Sequence, residues 1–191
     1  NLSRIFAEIE KRKYKMKKIV FLGDIKHFFG FEFKEGSYFR EFLKFLREYL
    51  DDEDIILIKG NHDTFELAGK KMRDFYVNSG IAFIHGHKDF SRIYEKDIET
   101  VVLSHLHPSV VISDKSNVKR EKYKCFLVGK YKKKTTLVLP SFFEIIEGAS
   151  VNDYKENYGD FSIIPKREIL RFEMYVIGDK KIYDFGKVKA L

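Results

Sequence analysis

Four short stretches hold every one of the 6 histidines in this chain: GDIKH (23–27), GNHD (60–63), HGH (85–87) and SHLH (104–107). Each closes or follows an apolar run of strand length: KKIVFLGD (17–24), DIILIKGN (54–61), IAFIHGH (81–87) and TVVLSHLH (100–107). In open α/β sheets, ligands bind beyond the carboxyl ends of strands. A chain patterned this way is therefore constrained to a layout in which several strand ends meet at one rim and bring these polar groups together.

The rest of the first half supports that layout. Leu2, Ile5, Phe6 and Ile9 recur at helical spacing, so residues 2–16 read as an amphipathic helix. Phe39, Phe42, Leu43, Leu46 and Leu50 do the same over 36–50. Residues 65–79 also read as helical. Strands alternating with helices argue for α/β layering. After residue 107 the runs VVISD, KCFLVGKY, TTLVLPSF, ILRFEMYVIGD and KIYDFGKV read as successive strands, with a tight hairpin turn at GDKK (178–181) and a polar loop at KENYGD (155–160). The second half is thus mostly β and is expected to build a second sheet.

The residue types in the four stretches favour metal chemistry. Asp24 brings a carboxylate able to bridge two cations, Asn61 a neutral amide oxygen, and His85, His105 and His107 imidazole nitrogens. A mixed nitrogen and oxygen set without thiolates suits Mn, Fe, Zn or Ni rather than an all-oxygen Ca or Mg cage. Two cations about 3.5–4 Å apart clamp a phosphate and generate hydroxide for in-line attack. His62, beside Asn61, is then placed to protonate the departing oxygen, and Asp63 to orient that imidazole. His105 and His107 sit two apart, which in a strand puts them on one face. Read singly, GD is a common turn and HGH fits a polar loop. The four stretches in this order are what point to a site.

Taken together, GDIKH, GNHD, the HG of HGH, and SHLH resemble four of the five sequence blocks of the calcineurin-like metallophosphoesterases, over most of residues 17–145. More narrowly, GNHDTF, SHLHPSVVISD, CFLVGKY, LVLPSF and EGASVN are similar to an archaeal group of SbcD-related phosphoesterases. The resemblance implies a four-layer αββα sandwich of two mixed β-sheets flanked by helices. It implies a metal-dependent phosphodiesterase or nuclease-like hydrolase that uses metal-bound hydroxide at a binuclear centre. Manganese is the foremost ion, with Fe, Zn or Ni as others. Asp24 would bridge both ions, Asn61, His85 and His105 would complete one, and His107 would belong to the other. His62 would act as acid, with Asp63 beside it and His27 and His87 on the substrate side or behind the ligands. The alternative is a catalytically weak module that binds nucleic acid or a partner on the same fold.

Two departures stand out. Ser104 replaces the family's usual Gly, and no Asp-x-His pair occurs anywhere in the chain. The resemblance places that block ahead of the helix at 2–16, so the numbered chain is expected to start inside the natural protein.

At 191 residues the chain is expected to form one domain, residues 1–191. Its 44% apolar content and 19 Phe are enough for a sizeable core. The Lys, Glu and Ile richness resembles thermophile composition. A net charge of +7 permits a phosphate ester substrate, including a nucleotide or nucleic acid, and fits a solvated Lys-rich surface at least as well. The basic runs KREKYK (119–124) and KYKKK (130–134) fit either phosphate contacts or a solvated hairpin, and Phe28–Phe29 either base stacking or packing. Cys125 lies in an apolar run and reads as buried and inert. With no disulfide framework and no long apolar span, a cytoplasmic protein without membrane contact is expected. Its oligomeric state is open, a dimer included.

Overall fold

The computed structural model describes residues 2–25, 33–63, 69–114, 118–153, 162–179 and 181–190. The chain is a mixed α/β molecule with one large mixed sheet, one small parallel sheet and few helices, as in the metallophosphoesterase fold. The small sheet pairs β1 (Ile19–Phe21) in parallel with β2 (Ile55–Leu57). Helices α1 (Leu2–Lys11) and α2 (Phe33–Leu46) pack on it.

Both helices are set by apolar periodicity. In α2 the buried positions Phe39, Leu43 and Leu46 follow the i, i+4, i+7 rule and meet Phe6 of α1 and Ile55 and Leu57 of β2. The Phe6 ring stacks on Phe45 at 5.9 Å and lies edge-on to Tyr49 at 4.8 Å. Helix α1 ends earlier than its sequence period suggests. Lys13 turns left-handed at φ 60°, while the Tyr14 and Lys13 amides donate to the Ile9 and Glu10 carbonyls at 3.1 and 2.8 Å. This is the Schellman closure of a helix C-terminus.

The expectation of a helix over 65–79 is not met where the structure describes that span. Phe75–Asn78 form strand β3, which pairs antiparallel with β4 (Ile81–Ile84). The aromatic and β-branched run Phe-Tyr-Val favours a pleated surface. Ser79 and Gly80 both take positive φ, at 48° and 75°, which gives the two-residue turn that suits a twisted hairpin.

The second-half strands also do not form a sheet of their own. Along the large sheet the order is β11–β10–β7–β8–β5–β4–β3, with β6 paired to β7 and β9. Here β5 is Thr100–Leu103, β6 Pro108–Ser113, β7 Arg120–Tyr131, β8 Lys134–Val138, β9 Ala149–Ser150, β10 Glu173–Ile177 and β11 Ile182–Lys187. The join is the parallel pairing of β5 with β8. Register aligns Ile84, Leu103 and Val138, all fully buried, so one apolar row crosses β4, β5 and β8. The first half of β7 pairs β6, and its second half pairs β8 and β10. Cys125 lies in its middle, buried as expected, with its thiol pushed up to about 12 by desolvation.

Residues 155–160, His27, and Phe28–Phe29 lie outside the described residues. The Gly178 amide donates to the Lys181 carbonyl at 3.0 Å, which fits the turn read at 178–181. No helix among the described residues is long and apolar enough to cross a membrane.

Candidate metal centre

The strands β1 and β2 of the small sheet and β4 and β5 of the large one all end at one place. Asp24 follows β1 by three residues, Asn61–Asp63 follow β2, His85 follows β4 directly, and Ser104–His105 follow β5. The Leu22 carbonyl ties the sheets together. It accepts from His85 Nδ1 at 2.6 Å and from Ser104 Oγ at 2.9 Å. Ser104 is thus more than a tolerated substitute for Gly. Positive φ falls on its neighbour His105 rather than on Ser104, and its hydroxyl bonds across the seam.

A carbonyl can only accept, so His85 Nδ1 carries the proton and Nε2 of the neutral ring is a lone pair. That atom lies 2.9 Å from His105 Nδ1, 3.1 Å from Asn61 Oδ1 and 3.3 Å from Asp24 Oδ2. With His105 in the tautomer that leaves Nδ1 unprotonated, four acceptor atoms face one region. Set this close, such atoms repel one another unless a cation or a proton sits among them, with His85 buried, Asp24 and His105 half-buried and Asn61 open to water. Ligands held about 2.0–2.2 Å from one divalent ion lie about 3–3.4 Å from each other, and the three distances from His85 Nε2 fall close to that range. Ligand atoms of Asp24, His85 and His105 all fall within 4.8 Å of one another. The donor set fits a divalent metal.

The carboxylate of this set is held ionised. Burial works to raise the Asp24 carboxyl; with a proton on His85 Nε2, the hydrogen bond to that ring, its charge and the His62 amide outweigh burial and hold the carboxyl at about 2, and a cation in the proton's place would act in the same sense. The His62 backbone N–H donates to Asp24 Oδ1 at 3.0 Å. Asp24, His105 and His107 all take positive φ, at 52°, 59° and 46°. Strained backbone of this kind gathers at functional sites. It also revises the strand reading of SHLH. β5 stops at Leu103, and the two histidines sit on a left-handed turn beyond it rather than on one face of a strand.

Asp63 is almost fully buried. Its carboxylate accepts the backbone N–H groups of Asp24 (2.7 Å), Gly60 (2.9 Å) and Ile25 (3.1 Å). It therefore stitches the β1 and β2 loops together. Gly60 is what lets them approach: a Cβ there would meet Asp24 Oδ1 at 2.1 Å.

His87 joins the same group of rings, with its centroid 5.2 Å from His85 and 6.0 Å from His105. Burial, with the charge of His85 next, pushes its pKa below the usual imidazole value. His107 is likewise pushed down by burial and then by His85. It is not one of the three residues whose ligand atoms cluster within 4.8 Å. Gly148–Ala149 abut it: the Ala149 amide donates to the His107 carbonyl at 3.1 Å. The basic runs are partly neutralised by local partners, with Lys119 on Glu121 (2.8 Å) and Lys132 on Asp89 (2.6 Å). Sequence reading missed the Leu22 carbonyl, because any residue offers one, and the place of Ser104, whose only signal was its departure from the family's Gly.

Residues 1–135 match the family model described as calcineurin-like phosphoesterase, and the chain belongs to that family. No curated protein matches it. Among solved structures it is similar to a single mutant of Vps29 from Entamoeba histolytica, with 12% identity, a TM-score of 0.42, and coverage of 96% of this chain and 89% of that one. A double mutant of the same protein follows at 12% identity and a TM-score of 0.36, covering 94% and 89%.

Proposed function

We propose that this chain is a metal-dependent phosphoesterase that hydrolyses phosphodiesters, with nucleotides or nucleic acid as substrate. The observation that carries this reading is the convergence of Asp24 Oδ2, Asn61 Oδ1, His85 Nε2 and His105 Nδ1 on one point. Family membership supports the phosphoesterase part, and the +7 charge admits a polyanionic substrate; the preference for nucleotides or nucleic acid follows the resemblance of the motifs to SbcD-related phosphoesterases. These four residues would hold one divalent ion, manganese foremost. Asp24 and His107 would contribute to a second. Bound divalent ions polarise a phosphoryl group and make water nucleophilic near neutral pH.

The chain's own residues do the rest. His62 follows Asn61 directly and its backbone amide donates to Asp24 Oδ1, which supports giving its imidazole the task of protonating the departing oxygen. Asp63 fixes the two loops that carry these groups. Ser104 and the Leu22 carbonyl set the His85 tautomer, as an outer partner of a ligating histidine does.

The test is elemental analysis after Mn²⁺ loading and desalting, paired with hydrolysis of bis(p-nitrophenyl) phosphate. The reading expects at least one retained ion per chain and metal-dependent turnover, both lost in His85→Ala. Well below one ion, or turnover indifferent to His85→Ala, overturns it.

A further inference from the structure

The segment 139–148, LPSFFEIIEG, leaves and rejoins the site at two fixed points. At its start the Leu139 amide donates to the Leu103 carbonyl at 2.8 Å, two residues before His105. At its end Gly148 lies so close to His107 that a Cβ would meet the His107 carbonyl oxygen at 1.7 Å, and Ala149 donates to that same oxygen. Lys124 of β7 holds the middle, with Nζ donating to the Ser141 carbonyl at 3.1 Å and to that of Phe143. The segment is therefore a fixed flank of the histidine turn.

Its exposed residues are Phe142, Phe143 and Ile145, with the carboxylates Glu144 and Glu147 among them. Phe142, Phe143 and Ile145 are 56%, 59% and 85% exposed, and the two rings stand 6.5 Å apart at 72°. Three residues of chain span at most about 10–11 Å, so Phe142 stays near the Leu139 anchor. Phe142, Phe143 and Ile145 thus form an exposed apolar patch on a loop pinned at one end to Leu103 of β5 and at the other to His107, and such patches mark interaction sites.

Resting on the phosphoesterase reading, we propose that Phe142 and Phe143 form a stacking platform for the nucleobase of the substrate, beside the phosphate site. Aromatic side chains stack any base through its π face, so the platform selects nucleotides over other phosphates without reading sequence. The charge balance of the chain admits such a polyanionic substrate.

The experiment compares binding of AMP and ribose 5-phosphate, which differ only in the base, to the Mn²⁺-loaded protein by calorimetry. AMP is expected to bind about tenfold or more tightly, in line with base stacking on aromatic side chains. The F142A/F143A variant should close the gap between the two ligands, and F143W should restore it. Equal affinity in the unsubstituted protein overturns the platform and leaves the phosphate site standing. Failure to bind either ligand overturns the phosphate site, and the platform with it. A change in oligomeric state on substitution, with the gap between ligands intact, shows that the rings cover another chain and also overturns the platform.

Discussion

The carboxylate of Asp63 accepts the backbone amide of Asp24 at 2.7 Å, although the two residues lie 39 positions apart. Asp24 sits in the left-handed region at φ 52°, and its own carboxylate accepts from the loop that carries Asp63. Each aspartate thus fixes the other's loop. The strained backbone at Asp24, which costs a non-Gly residue about 1–2 kcal/mol, is offset by these bonds.

This pairing separates two roles for Asp63. If it is a stitch, Asp63→Ala strands three amides and lowers stability by about 2–4 kcal/mol in urea unfolding, with a parallel loss of metal affinity. If it serves mainly to orient His62, Asp63→Asn lowers kcat while leaving the unfolding midpoint in place. The geometry predicts the first outcome: two substantial carboxylate oxygens are already engaged with amides of Asp24, Gly60 and Ile25.

Ser104 offers a finer test of the seam between the sheets. Its hydroxyl donates to the Leu22 carbonyl, the group that also fixes His85 Nδ1. Ser104→Ala removes one hydrogen bond and is expected to cost about 1 kcal/mol of stability. It should weaken Mn²⁺ binding by about tenfold, the low end for an outer partner of a metal-ligating histidine. His85→Ala should abolish binding. Calorimetric titration of both variants gives the order; equal losses would mean that Ser104 does more than orient the ring.

The pH dependence of metal loading follows from which groups compete with protons. Asp24 is held at about 2, so it stays ionised throughout the neutral and mildly acid range. Its own contribution to stability is complete above its ordinary value of 3.8 and is lost as pH falls through about 2. His107 is pushed below the ordinary imidazole value and is neutral, ready to ligate, at pH 7. Mn²⁺ affinity should therefore be flat above about pH 7 and fall as pH drops below about 6, where imidazoles take up protons. A midpoint near pH 4 in the loading curve would instead assign the loss to a carboxylate.

Much of the site was legible because its residues are local words in the sequence. GNHD, HGH and SHLH each put rare metal-binding types beyond an apolar run, and the fold brings Asp24, Asn61, His85 and His105 to one point. What was not legible depends on partners far along the chain. The engagement of Asp63 with amides at 24 and 25 has no local signature. Nor does the parallel pairing of β5 with β8, which merges the two halves into one sheet. The helix read over 65–79 failed at Phe75–Asn78 because four residues of amphipathic pattern fit a short strand equally well. The Ser79–Gly80 turn that decides between them calls for positive φ at Ser, an uncommon choice.

The hairpin read at the basic run 130–134 is present and gives the last prediction. Lys132 and Lys133 join β7 to β8 with φ of 46° and 66°, a two-residue turn built from residues that disfavour it. The two lysines differ in what they return. Lys132 Nζ bonds Asp89 at 2.6 Å and lies 4.1 Å over the Tyr94 ring, clipping the turn to the loop that follows His87. Lys133 is exposed. Lys133→Gly relieves left-handed strain at an exposed position and should raise stability by about 0.5–1 kcal/mol. Lys132→Gly relieves the same strain but gives up the clip, a charge pair and a cation–π contact each worth up to about 1 kcal/mol, so its net change should be near zero or destabilising. Thermal unfolding of the two variants side by side decides the matter: a stabilising Lys133→Gly with a neutral or harmful Lys132→Gly locates the clip at Lys132, and equal gains at both positions would show that the Asp89 contact contributes nothing.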